Sequence, residues 1–340
     1  MTELLNTLYV QTPGTSLRLE GDTVRIYHPD QPGRKILPLT RIDHLVLFRG
    51  VAISDELQLR CAADRRTISW LSGNGKFYAR LAGPTAGNPL LRLAQYRHHD
   101  DPAQRLAIAR YMIAGKLQNS RQVLLRAARD ATGAKQTTLR TAAQQHADSL
   151  TDAAHASNLN ILMGVEGNAA RAYFNALPSM CQTALTPFER TRRPPTDPVN
   201  CLLSFAYGML RVSVHGALEQ VGLDPYIGYL HGVRPGKPGL ALDLMEEFRA
   251  LLADRFVMTL FNRKEVNESA FAHLPGDVVE LTSDGRRAVL SAWQTNRQRL
   301  WPHAQLGRDV PAALLPLVQA RLLARHLRGD LDAYLPWTVT

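Results

Sequence analysis

Residues 76–102 read KFYARLAGPTAGNPLLRLAQYRHHDDP, and the fold class turns on this passage. KFYARL (76–81) has the short, aromatic-rich pattern of a strand. Gly83-Pro84-Thr85-Ala86-Gly87-Asn88-Pro89 then concentrates helix and strand breakers, which predicts a linker. Asp101-Pro102 sets an N-cap side chain ahead of a proline at the first helical position, predicting a helix through about Gln118. The expectation is an α+β chain, with a small β-rich domain over 1–83, a linker at 84–89 and a larger all-α domain over 90–340.

Upstream, SLRLEGDTVRIYH (16–28) alternates apolar and polar residues around Gly21-Asp22, a hairpin signal. HLVLF (44–48) and TISWL (67–71) add strands, and SDELQLRCA (54–62) suits a short helix. Downstream, Asp197-Pro198 repeats the capping device before VNCLLSFAYGMLRVSVHGAL (199–218), an apolar run fit for a buried central helix. Further helices are expected near 120–131, 136–156, 158–177, 239–256, 284–299 and 311–328. No internal repeat stands out.

The 340 residues carry 45% hydrophobic side chains, as folded globular proteins do. Forty Lys and Arg against 30 Asp and Glu give a net charge of +10 and a pI near 9.8. That excess suits a polyanionic partner, because neutralised phosphates release counterions; a generic basic enzyme is the plainer alternative. No amphipathic helix with a concentrated lysine face points to a membrane surface. No run approaches the roughly 20 apolar residues of a membrane span, and MTELLNTLYVQ lacks the features of a secretory signal. Cys61, Cys181 and Cys201 follow no ligand or redox spacing and read as reduced, buried thiols. The cytoplasm is the expected compartment. SGNGKF (72–77) lacks P-loop spacing and reads as a hairpin turn.

Three features carry chemistry. In MGVEGNAARAYF (163–174), Glu166 stands between Gly164 and Gly167, each costing a helix about 1 kcal/mol relative to alanine. Bare backbone there admits a bulky ligand or, equally, a closely packed helix. In GYLHGVRPGKPG (228–239), two prolines and four glycines shape a loop that carries His231, Arg234 and Lys237. Arg234 and Lys237 suit a phosphate backbone, or are ordinary solvated charges. In LALDLMEEFR (240–249), Asp243, Glu246 and Glu247 lie three and four apart and share one side of a helix. A solvated acidic face would look the same. Carboxylate and imidazole donors together suit Mg²⁺ or Mn²⁺, and the distance of the cysteines in sequence argues against structural zinc.

The ordered set MGVEGNAARAYF, RPPTDPVNCLLSFAYGML (193–210), GLDPYIGYLHGVRPGKPGLALDLMEEFR (222–249) and LTSDGRRAVLSAW (281–293) resembles the CRISPR-associated integrase of spacer acquisition, the first of the numbered CRISPR-associated proteins. The resemblance runs over nearly the whole chain, and the loop form His-x-x-Arg-Pro-Gly-x-Pro is similar to the type I-C branch. It implies a metal site of Glu166, His231 and Glu246, with Asp243 supporting it; it is also what selects Glu246 over Glu247. Asn168, Arg171 and Tyr173 become candidates for orienting ligands or DNA. Arg190, Arg192 and Arg193 are a candidate strand contact read from their position before the Asp197 cap.

The implied activity is a metal-dependent DNA endonuclease and integrase. The 3′-hydroxyl of a short double-stranded prespacer attacks a phosphodiester at the edge of a CRISPR repeat, in prokaryotic antiviral defence. The resemblance further implies a homodimer through the β domain, a bridging dimer of the second numbered CRISPR-associated protein, and in type I-C systems a nuclease of the fourth numbered family. Two rivals stay open: a structure-specific metal nuclease that never joins strands, and a non-enzymatic DNA-binding scaffold.

Overall fold

The computed structural model describes residues 7–81, 83, 88–181, 190–191 and 194–339, with backbone alone at 31–34. The N-terminal part holds β1 (Thr7–Val10), β2 (Ser16–Glu20), β3 (Thr23–His28), β4 (Gln31–Pro38), β5 (His44–Phe48), β6 (Ala52–Ile53), α1 (Asp55–Ala63), β7 (Thr67–Leu71) and β8 (Phe77–Leu81). They form two four-stranded sheets, ordered β1-β5-β7-β8 and β4-β3-β2-β6. The expected hairpin is β2–β3, pairing Leu17 with Ile26 and Leu19 with Val24. Gly21 turns it at φ +59°, where a side chain would be strained.

β5 explains how this part is seated. Its side chains alternate across the sheet: Leu45 and Leu47 join Leu17, Val24, Leu57 and Ile68 in a small core. Val46 and Phe48 instead enter the large core shared with the helices. A strand buried on both faces reads as the unbroken apolar run HLVLF.

The helical part comprises α2 (Pro89–Asp100), α3 (Pro102–Asp130), α4 (Gly133–His155), α5 (Leu159–Ala176), α6 (Pro198–Val221), α7 (Gly239–Phe248), α8 (Arg255–Asn262), α9 (Ser283–Gln298) and α10 (Leu315–Leu327). Both Asp-Pro devices work as expected: Asp101 accepts from the N–H of Ala103 and Gln104, and Asp197 from that of Asn200. α6 is the central helix, with 67% of its most apolar window buried. By length and composition it is the one helix among the described residues that would cross a membrane, but here it is wrapped by its neighbours.

Four expectations need correction. The helices expected at 102–118 and 120–131 are one, α3. The helix expected over 239–256 contains a π-helical stretch, Arg249–Asp254, between α7 and α8. The part expected to be all-α also carries two hairpins, β9 (Phe271–Leu274) with β10 (Val278–Leu281), and β11 (Leu300–His303) with β12 (Arg308–Pro311). Their strands of four residues are too short to show a period. Finally, Asn88 caps α2 and Pro89 opens it, so the end of the expected linker is helix; residues 84–87 lie outside the described residues.

Candidate functional site

α5 is capped by Asn158, which accepts from the N–H of Ile161. It buries Leu162, Ala169, Tyr173 and Ala176 on one face. Among the described residues, a Cβ placed on Gly164 or Gly167 would meet nothing within 4 Å. Close helix packing therefore does not account for these glycines; they leave open backbone on either side of Glu166. Ile161, Met163, Asn168 and Arg171 are exposed on the same helix.

α7 is buried almost all round, which rules out a solvated acidic face. At about 100° per residue, Glu246 and Glu247 project to either side of Asp243, and the three carboxylates go to three places. Glu247 turns into the core, accepting from Tyr334 Oη at 2.7 Å, Trp337 N–H at 2.7 Å and Gln319 Nε2 at 3.2 Å. Burial raises its carboxyl to about 8 against these three donors. It is the clamp of the C-terminal tail and belongs to no surface site, so the structure too separates it from Glu246.

Asp243 is fully buried and serves the His231 loop. Its oxygens accept from the backbone N–H of Tyr229 (2.6 Å), Leu230 (2.9 Å) and His231 (3.0 Å), and from His231 Nδ1 at 2.5 Å. Gly228 is required for this approach, since a Cβ there would stand 2.6 Å from Asp243 Oδ2. A carboxylate that accepts from Nδ1 places a hydrogen there and leaves Nε2 as the ring nitrogen turned to a ligand. This is how a carboxylate fixes a metal-ligating histidine. Arg234 is exposed and Lys237 half-buried further along the loop.

Glu246 meets Glu166 through a residue that sequence reasoning missed. Lys116 of α3 bonds Glu166 Oε1 and, at 2.8 Å, Glu246 Oε2. Arg249, one turn after Glu246, donates to both of its oxygens at 2.8 and 3.1 Å. Burial pushes the Glu246 carboxyl up, but Arg249 and Lys116 together hold it down at about 2. Arg249 also lies 4.5 Å over the Tyr207 ring, and the Tyr207 hydroxyl donates to the buried Asp254. Tyr173 belongs to this inner network: burial and the nearby Asp254 push its phenol well up. It therefore does not sit free to orient DNA. Arg190 is likewise engaged within the chain, over the rings of Phe174 and Tyr207 and donating to Asn200, not offered to a strand. Arg192 and Arg193 lie outside the described residues.

Two carboxylates closing on one cation is donor chemistry that fits a hard divalent ion. Among the described residues no group of three or more His, Cys, Asp and Glu side chains already stands together as a ligand set. The structure brings Glu166 to Glu246 through Lys116, and ties His231 to α7 through Asp243. Arg249 was legible as the i+3 partner of Glu246. Lys116, alone in the apolar stretch around Gly115 and Leu117, gave no signal of its target.

Comparison with known proteins follows the same lines. Residues 8–295 match the family model for CRISPR associated protein Cas1. The chain is 44% identical over 338 residues to CRISPR-associated endonuclease Cas1 1 of Moorella thermoacetica, covering 98% of each. It is 34% identical to a CRISPR-associated exonuclease Cas4/endonuclease Cas1 fusion of Rhodospirillum rubrum, covering 96% of this chain and 56% of the fusion. Among solved structures, a casposase bound to integration product superposes with a TM-score of 0.82 at 21% identity, covering 98% of this chain and 93% of that one. A Cas6-RT-Cas1–Cas2 complex superposes with a TM-score of 0.82 at 19% identity, covering 98% of this chain and 36% of that one.

Proposed function

We propose that this chain, which belongs to the Cas1 family of CRISPR-associated endonucleases, joins DNA strands by transesterification at a divalent-metal site made of Glu166, His231 and Glu246. The observation that carries the reading is the meeting of Glu166 and Glu246 on one cation beneath the open backbone of Gly164 and Gly167. A 3′-hydroxyl oxygen bonds to the phosphorus of a target phosphodiester, the bond from phosphorus to the target's own 3′-oxygen breaks, and the hydroxyl proton passes to that leaving oxygen.

Mg²⁺ or Mn²⁺, when bound, supplies Lewis-acid polarisation of the phosphoryl oxygens. The protein's own residues do the rest. Asp243 holds His231 with Nε2 as the free donor. Lys116 and Arg249 keep Glu246 ionised and place positive charge beside the reacting phosphate. The absent side chains at 164 and 167 let a strand approach α5, while Asn168, Arg171, Arg234 and Lys237, accessible at the rim, contact its backbone.

In this reading the substrates are a short double-stranded prespacer and a CRISPR repeat, and the working unit is a homodimer through the β-rich part. A Cas6-RT-Cas1–Cas2 complex among the structural neighbours supports the second numbered CRISPR-associated protein as a partner, in this reading a bridging dimer. The fused relative supports partnership with a Cas4 nuclease, and the His231–Pro238 loop form favours the type I-C branch.

The test is a strand-transfer assay with Mn²⁺ or Mg²⁺, a labelled duplex with free 3′-hydroxyls and a supercoiled plasmid bearing a repeat, with and without the bridging partner. Label should join the plasmid with the wild type and fall at least about 100-fold with Glu166→Ala or His231→Ala. Nicking without joining would make the protein a nuclease only. Equal activity in the variants would refute the site.

A further inference from the structure

The helical part carries a second concentration of positive charge. Arg126 near the end of α3, Lys135 near the start of α4, Arg255 at the start of α8 and Arg263 just after it line one open groove of about 590 Å³. Arg299 stands in the same field. Arg126 follows Lys116 along α3, about 15 Å further on by helix rise.

These charges are only sparsely paired among the described residues. Among the described residues the nearby acids are Asp130 on the lining and Glu265, 3.9 Å from Arg263. Arg126, Arg255 and Arg299 make no ion pair there. Burial first, and then Arg299, Arg126 and Arg263 as like charges, together lower Arg255 to about 10. Arg255 and Arg299 are also preset: their guanidinium groups lie 5.5 and 4.8 Å from the centre of the Trp301 ring. Another arginine-rich cavity, of about 360 Å³ between the β-rich and helical parts, differs on this point. There Arg80 meets Glu219 and Arg66 meets Asp64.

We propose that the groove between α3, α4 and α8 binds the phosphate backbone of a DNA strand, at a site separate from the Glu166 carboxylates. Like-charged guanidiniums held together cost free energy that a chain of phosphates offsets, each in a charge-assisted hydrogen bond. An acidic protein surface is the other polyanion. It would need an apolar centre to its interface, and among the described residues no exposed large hydrophobic side chain lies on this lining. Phosphates need only N–H donors. The inference concerns binding alone and stands whether or not the Glu166 site joins strands.

The experiment is fluorescence anisotropy of a labelled DNA duplex with the full chain across a salt series. It compares wild type, R126A/R263A, and R18A/R41A, which removes equal charge from exposed positions of the β-rich part. Thermal unfolding checks that each variant is folded. Two lost phosphate contacts should weaken binding about tenfold and reduce the salt slope by about 2 in the groove pair alone. Unchanged affinity and slope in R126A/R263A would overturn the proposal, and so would an equal loss in R18A/R41A. Loss of binding to polyglutamate with DNA binding intact would reassign the groove to an acidic protein.

Discussion

At the scale of the residue, the site is built from pairs. Asp243 converts four donors, three of them backbone, into a fixed histidine, and Lys116 converts two separate glutamates into one anionic centre. Asp243→Asn should turn an amide N–H₂ toward donors, costing about 3 kcal/mol of stability and weakening Mn²⁺ affinity about 10- to 100-fold. Denaturant unfolding and calorimetric titration measure the two effects separately. Glu166, His231, Asp243 and the Glu246–Glu247 pair each stood out in a local pattern (flanking glycines, a proline–glycine loop, helical spacing), but only the family resemblance drew them into one set and chose Glu246 over Glu247. Lys116 did not stand out, because its partners lie 50 residues on and farther, and a lysine in an apolar helix shows no sign of what it will meet. Arg190 misled for the opposite reason. It sits in a basic run, yet two aromatic rings and Asn200 draw it inward.

At the scale of the element, α5 and α7 set opposite requirements. α5 must stay bare where it faces open space. Gly167→Ala should therefore raise stability by up to about 1 kcal/mol through helix propensity. Gly167→Leu should fold equally well and lose strand transfer, because its side chain fills the approach; Tm and activity together test this. α7 must carry three acids through the core. The Glu247 carboxyl is raised from 4.5 to about 8, so between those values the folded chain holds a proton that the unfolded chain has released. Stability should then fall as pH rises through that window, by up to ~1.4 kcal/mol per pH unit. Glu247→Gln, with no proton to lose, should flatten the dependence, as Tm measured from pH 5 to about 9 would show. The periodicity of 239–256 gave the helical character but not the π-helical stretch at Arg249–Asp254, because Ala250–Asp254 are buried one after another and their spacing marks no period.

At the scale of the whole molecule, the division into β-rich and helical parts was readable at residues 76–102, but their union was not. β5 faces both cores, and Trp293 Nε1–H and Gln294 Nε2–H of α9 donate to the Tyr9 hydroxyl and the Thr7 carbonyl of β1. Such contacts join residues nearly the full chain length apart, which no local pattern encodes. The C-terminal tail escaped for the same reason. Tyr334 and Trp337 are buried, and the tail is held by Glu247 and Asn119, against the helices that carry Lys116 and Glu246. The site thus depends on the last residues of the chain as well as its middle.

The most direct measurement is calorimetric titration of Mn²⁺ into the wild type and into Glu166→Gln, Glu246→Gln and His231→Ala, with circular dichroism to confirm folding. If the three side chains share one ion, each substitution should weaken binding by about 100-fold, since His231→Ala deletes a ligand and each Glu→Gln replaces an anionic donor with a neutral amide. Wild-type affinity in His231→Ala, or in either glutamate variant, would contradict a shared site.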